Sequence, residues 1–142
     1  MPIQSRRKGK EFELLVAEQF RRVFPTARRS GWMQAVQGHE AADVEVPGFW
    51  IECGHGGSIN PRVKLTQALE AEQRHFREIP GAEHLVAIAV TRVTGSREVI
   101  VTLRLEDLLE LLGAPRVSDP IAVQLRLADF LGLVERLPIV AP

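Results

Sequence analysis

Ala42-Asp43-Val44-Glu45-Val46-Pro47-Gly48-Phe49-Trp50-Ile51-Glu52-Cys53 is the stretch on which the reading of this chain turns. Two apolar runs, 42–46 and 49–53, flank Pro47-Gly48, a dipeptide that marks a tight turn, so a β-hairpin is expected. Hairpin strands run antiparallel, and the start of the first then shares an edge with the end of the second. Asp43 and Glu52 are therefore expected to converge at one end of a sheet. Paired carboxylates suit a hard divalent cation, Mg²⁺ or Mn²⁺ in its place, and the metal-assisted hydrolysis such an ion supports. Glu13, on the inner half of the first helix, is a possible third oxygen donor. Solvated carboxylates near turns are common, and strand alternation can put Glu52 on an open face. Against that, Glu52 sits between Ile51 and Cys53 after Phe49-Trp50, where an unpaired carboxylate is costly.

On the N-terminal side, Glu11 to Val23 carries Phe12, Leu15, Val16, Gln19, Phe20 and Val23 at helical spacing. Phe24-Pro25 ends that helix, because the residue before proline leaves helical geometry. Residues 27–40 are polar and read as a short strand plus loop. On the C-terminal side, Gly54 to Pro61 reads as a glycine-rich loop, with Asn60 as helix cap and Pro61 in the first turn. The helix so begun runs to about Glu78, and Pro80-Gly81 stops it. His84 to Thr91 is a nearly continuous apolar run, the mark of a strand covered on both faces. A turn at Thr94-Gly95-Ser96, a strand over Arg97 to Leu103 and a short helix over Leu105 to Leu112 follow. Ile121 to Leu137 reads as an amphipathic helix. The expected fold is α/β, a mixed central sheet flanked by helices, in a single domain 1–142 with residues from about 114 as a helical tail appendage.

The chain has 142 residues, 45% of them hydrophobic, and one cysteine, which excludes a disulfide framework and a multi-cysteine zinc site. Residues 1–10 are polar and basic with no apolar signal-type core, and no apolar run of about 18 residues occurs, so no membrane partner and a cytoplasmic setting are expected. Eighteen basic residues balance eighteen acidic ones, yet residues 1–31 hold eight basic against three acidic. Arginine, with its forked donors, dominates the basic set. This asymmetry points to a polyanion partner, although a solvated helix face produces similar clusters. Gly54 to Gly57 is not followed by Gly-Lys-Ser/Thr, so no nucleotide cofactor is expected. Cys53 is expected to be a buried, inert thiol. His39, His75 and His84 lack ligand spacing, and Trp32 reads as core or as a base-stacking surface.

Lys8-Gly9, Glu13, Arg29-Ser30-Gly31, Ala42-Asp43-Val44 and Trp50-Ile51-Glu52-Cys53, in that order, resemble the archaeal and phage-type Holliday junction resolvases of the PD-(D/E)XK nuclease superfamily. The resemblance covers residues 6–78, with Gln67 or Gln73 matching a later glutamine. It implies a restriction-endonuclease-like fold in which Glu13, Asp43 and Glu52 hold Mg²⁺ and Ser30 lies near the scissile phosphate. Arg6, Arg7, Lys8, Lys10, Arg28 and Arg29 would position the DNA backbone. It further implies a homodimer that nicks four-way junctions, for which the apolar stripe of the last helix is a candidate interface. One position departs from the pattern: the family lysine two residues after Glu52 is Gly54 here. Either His55 or Lys64 substitutes for it, or the fold binds DNA without cutting, or the site is inactivated at this position.

Overall fold

Two short strands, β2 (Val44–Val46) and β3 (Phe49–Gly56), form the expected hairpin, with Val46 opposite Phe49 and Val44 opposite Ile51. Gly48 makes the turn at φ 85°, a left-handed conformation that glycine enters without strain. The structure, a computed structural model, describes residues 3–30, 41–115, 117 and 120–137. Around the hairpin lie β1 (Arg28–Arg29), β4 (Val86–Val93), β5 (Ile100–Arg104) and β6 (Ala122–Arg126), giving a six-stranded sheet in the order β1-β2-β3-β4-β5-β6. Only β3 and β4 pair in parallel; every other neighbour is antiparallel. The parallel pair needs a long crossover, and helix α2 (Pro61–Glu78) supplies it. Asn60 caps α2 as expected, its side chain accepting from the backbone N–H groups of Arg62 and Val63.

Helices cover both faces. On one, α1 (Ile3–Phe20) and α4 (Leu127–Glu135) bury Phe12, Val16, Phe20, Phe130 and Val134 against Val44, Phe49, Ile51, Ile88, Val90, Val101 and Leu103. On the other, α2 sets Ala68 and Ala71 against Ala42, Trp50 and Ala87. A short helix, α3 (Leu105–Leu111), links β5 to the last strand. The expected α/β class with a mixed, helix-flanked sheet is what the chain adopts.

Several boundaries differ from expectation. Helix α1 starts eight residues earlier than its apolar spacing indicates, and Arg6, Arg7, Lys8 and Lys10 in that extension are exposed. Gly54 to Gly56 belong to β3 rather than to a loop, because they pair with Thr91, Arg92 and Val93 of β4. The largest correction is at the C-terminal end. Residues 122–126 form a strand paired along β5, not the start of a helix. Val123 and Leu125 alternate toward the core, and the helical period begins only at Leu127, so the two patterns merge in the sequence. The segment is not a helical appendage: Leu127, Phe130, Leu131 and Val134 lie in the main core. That apolar stripe, considered above as a dimer surface, is occupied by its own sheet. No described helix is long and apolar enough to cross a membrane.

Candidate active site

Carrying the β2–β3 register one residue past Val44 and Ile51 sets Asp43 opposite Glu52, as hairpin geometry requires. Both leave the sheet on the α2 face. Their carboxyl groups lie close enough for Asp43 to act on Glu52 both by charge and by hydrogen bonding. Oδ2 of Asp43 also accepts the backbone N–H of Cys53 at 2.8 Å, and Oε1 of Glu52 accepts the indole N–H of Trp50 at 3.0 Å. Both groups are thus held by the strand that carries Glu52. Burial, then the neighbouring charge of Asp43 and the hydrogen bond to it, push the Glu52 pKa from 4.5 up to about 8, while Trp50 and Lys64 pull the other way. Near neutral pH the pair therefore retains a proton, as two close carboxyls do when no cation separates them.

Glu13 stands half-buried on α1. Burial and then Asp43 raise its pKa, opposed by its hydrogen bond to Arg29. Its Oε2 accepts from Nε of Arg29 at 2.5 Å. Glu13 therefore acts on Asp43 through its charge, with its carboxylate committed to Arg29. Among the described residues no three His, Cys, Asp or Glu side chains close on one point as a ready metal centre. The expected three-carboxylate set takes the form of a close pair with a third carboxylate drawn aside.

Lys64, in the first turns of α2, reaches this place. Its charge acts on Glu52, Glu13 and Cys53. A Cβ at position 54 would stand 2.6 Å from Cδ1 of Ile59 and 3.1 Å from Cε of Lys64. Gly54 thus leaves the space that these two side chains fill, and no side chain enters there unless one of them moves. Nζ of Lys64 donates to Oε1 of Gln67 at 3.2 Å, which places Gln67, rather than Gln73, beside the site. His55 does not join them. Strand alternation turns it to the α1 face, where its ring stacks on Phe12 at 5.5 Å. Burial, Arg92 and Lys8, in that order, lower its pKa.

Ser30 is fully buried, and its hydroxyl donates to the carbonyl of Ala42. Its backbone N–H donates to the carbonyl of Asp43 at 3.2 Å. It braces the Asp43 strand instead of facing a substrate. Arg28 pairs with Glu45 at 2.9 Å, and Arg29 with Glu13, so both are engaged within the protein. Arg7 pairs with Glu11 along the exposed side of α1 at 3.1 Å, while Arg6, Lys8 and Lys10 stand exposed beside it. Cys53 is buried as expected, and burial, Asp43, Glu13 and Glu52 together drive its thiol pKa well up. His84 hydrogen-bonds the buried Glu72, and His75 tilts against Trp50. Gly31, Trp32 and His39 lie outside the described residues.

One pairing and one participant had not been expected. The Arg29 tie to Glu13 spans sixteen positions and had no sequence signal. Arg92 was visible only as a charge near the end of an apolar strand, and its place beside His55 depends on the order of strands in the sheet. Compared with protein-family models, with curated proteins and with solved structures, the chain matches none of them.

Proposed function

We propose that this chain is a metal-dependent endonuclease that hydrolyses phosphodiester bonds of branched DNA, four-way junctions first among them, and that it acts as a cytoplasmic homodimer. The observation that carries the reading is the Asp43–Glu52 pair, set opposite one another by the hairpin register and held by Cys53 and Trp50, with Lys64 beside it. Two carboxyls that retain a proton for want of a counter-charge are a suitable donor set for Mg²⁺, which commonly takes one or two carboxylates and keeps several waters. Asp43 and Glu52 would hold the ion, Mg²⁺ or Mn²⁺, and it would supply Lewis acidity toward the phosphoryl oxygens.

This chain's own groups do the remaining work. The Cys53 N–H and the Trp50 indole fix the two carboxyls before substrate arrives, so little reorganisation accompanies the reaction. Lys64 brings the positive charge that the resemblance locates at position 54. It would stabilise charge on the phosphate as water attacks in line and the 3′ oxygen departs. Arg6, Lys8 and Lys10 would grip backbone phosphates without reading sequence, which makes binding fall steeply with salt.

The test is a synthetic four-way junction incubated with Mg²⁺ and, separately, Mn²⁺, then resolved on a denaturing gel. Paired nicks are expected, lost in Asp43→Asn and Glu52→Gln. A junction left intact by both metals over long incubation overturns the enzyme reading. Gly54 favours a second reading, a junction-binding protein that does not cut. Its signature is tight, salt-sensitive binding without nicks, unchanged by Glu52→Ala.

A further inference from the structure

On the α1 face, past the carboxyl pair along β3, His55 and Arg92 lie against the buried ring of Phe12, with the charge of Lys8 close to His55. The His55 ring stacks on that of Phe12 with centroids 5.5 Å apart and planes 27° from parallel. The guanidinium carbon of Arg92 lies 5.1 Å from the centre of the same ring. His55 and Arg92 are neighbours in the parallel β3–β4 register. Lys8 lies one helical turn before Phe12 on α1, and its charge, like that of Arg92, is felt at His55. Among the described residues none of the three has an ion-pair partner: Glu11 is bound to Arg7, and Asp129 to Arg126. Glu98 borders the hollow of about 350 Å³ beside Arg92, in company with Arg97 and Arg126.

We propose that Lys8, His55 and Arg92 form a phosphate-binding site that holds a backbone phosphodiester of the nucleic acid on which the Asp43–Glu52 pair acts. The backbone assignment depends on the nuclease reading above. An aromatic ring orients a cation without neutralising it, so Phe12 presents Arg92 with its donors unspent, and the stacked His55, whose pKa is lowered, adds a neutral ring N–H donor. Like charges held together with no counter-charge gain most from an arriving anion, and arginine's fork matches phosphate oxygens. The spacing also fits. His55 is three residues beyond Glu52, about 10 Å along the strand at roughly 3.3 Å per residue, and on the opposite face, so a backbone that reaches both would wrap the end of β3. A Cβ at Gly56 or Gly57 would meet nothing within 4 Å, so the end of β3 leaves room for a sugar–phosphate chain to approach.

The experiment measures binding of a four-way junction by fluorescence anisotropy, without divalent metal, over a salt series. It compares the unaltered chain with Arg92→Gln and with Lys8→Gln. Lys8 is exposed, so its replacement leaves the fold unaffected, and a thermal melt checks Arg92→Gln. Each substitution is expected to weaken binding about ten-fold at low salt, equivalent to one charged hydrogen bond, and to lower the slope of log K against log salt by about 0.9. Unchanged affinity and slope in both variants overturn the site, even where the junction is cut. Weakened binding with no cutting keeps the site and removes the nuclease. No junction binding by the unaltered chain overturns both. A second arm follows the His55 ring resonances by NMR. A shift with inorganic phosphate that junction DNA fails to displace overturns the backbone assignment, and displacement supports it.

Discussion

On the face covered by α1 and α4, the sheet meets its helices through large side chains: Phe20, Phe24, Phe49 and Phe130 lock edge to face with centroids 5.9 to 6.4 Å apart. On the face covered by α2, the buried cluster is Ala42, Ala68, Ala71 and Ala87 around Trp50, with Leu69 and Leu85 packed at its margin. The first face buries most of the apolar area and supplies most of the hydrophobic stabilisation. The second, built from small residues, brings α2 near enough for Lys64 to fill the gap at Gly54. It also carries the polar load: Asp43, Glu52 and the buried Glu72, one oxygen of which has no hydrogen-bond partner among the described residues. One face holds the protein together and the other leaves room for chemistry.

That division can be broken from either side. Phe130→Ala empties a fully buried site on the large-residue face and is expected to cost about 3–5 kcal/mol in urea unfolding, with junction cleavage per folded molecule unchanged. Lys64→Ala should do the reverse. Cleavage should fall about 10²–10³-fold, the loss of one positioned charge, while stability stays within about 0.5 kcal/mol. If Lys64→Ala cuts normally, the small-residue face loses its assigned role.

A pH series sharpens the contrast. Glu52 has a folded-state pKa of about 8 against an ordinary 4.5, so its contribution to stability is complete below about 4.5 and is lost as pH rises through 8. The metal-free protein should therefore lose on the order of 2 kcal/mol between pH 5 and 9, after allowance for solvent screening of a partly exposed group. Glu52→Gln keeps an acceptor for Trp50 and should flatten that slope in thermal melts. An equal slope in the variant would place the titration elsewhere. Gly54→Ala forces Ile59 or Lys64 aside, at about 1–2 kcal/mol, and should also slow cleavage by displacing the lysine. The smallest effect is expected at Asn60→Ala, which removes the α2 cap for about 1 kcal/mol without moving the carboxyl pair.

The same division separates what was legible in the sequence from what was not. Asp43 and Glu52 could be paired before any coordinates, because Pro47-Gly48 fixes an antiparallel register and register fixes neighbours. Asn60-Pro61 announced α2 for an equally local reason. The strand at 122–126 was missed because Val123 satisfies both a period of two with Leu125 and the helical spacing to Leu127, Phe130 and Val134. The relation of Lys64 to Gly54 was open in the sequence. It is a matter of how closely a helix packs on a strand, which the alanines of α2 determine only once the sheet is formed. Ser30 and Arg29 changed meaning for a similar reason: burial and an unforeseen partner turn a candidate substrate contact into a brace.

The most direct test of the carboxyl pair as a cation site is calorimetric titration of Mn²⁺ at pH 7 in two buffers of different ionisation enthalpy. Metal ligands must be deprotonated, so binding at a pair that retains a proton should release close to one proton per ion from the unaltered chain, and much less from Glu52→Gln. Absence of binding, or binding with no proton released, would contradict the account.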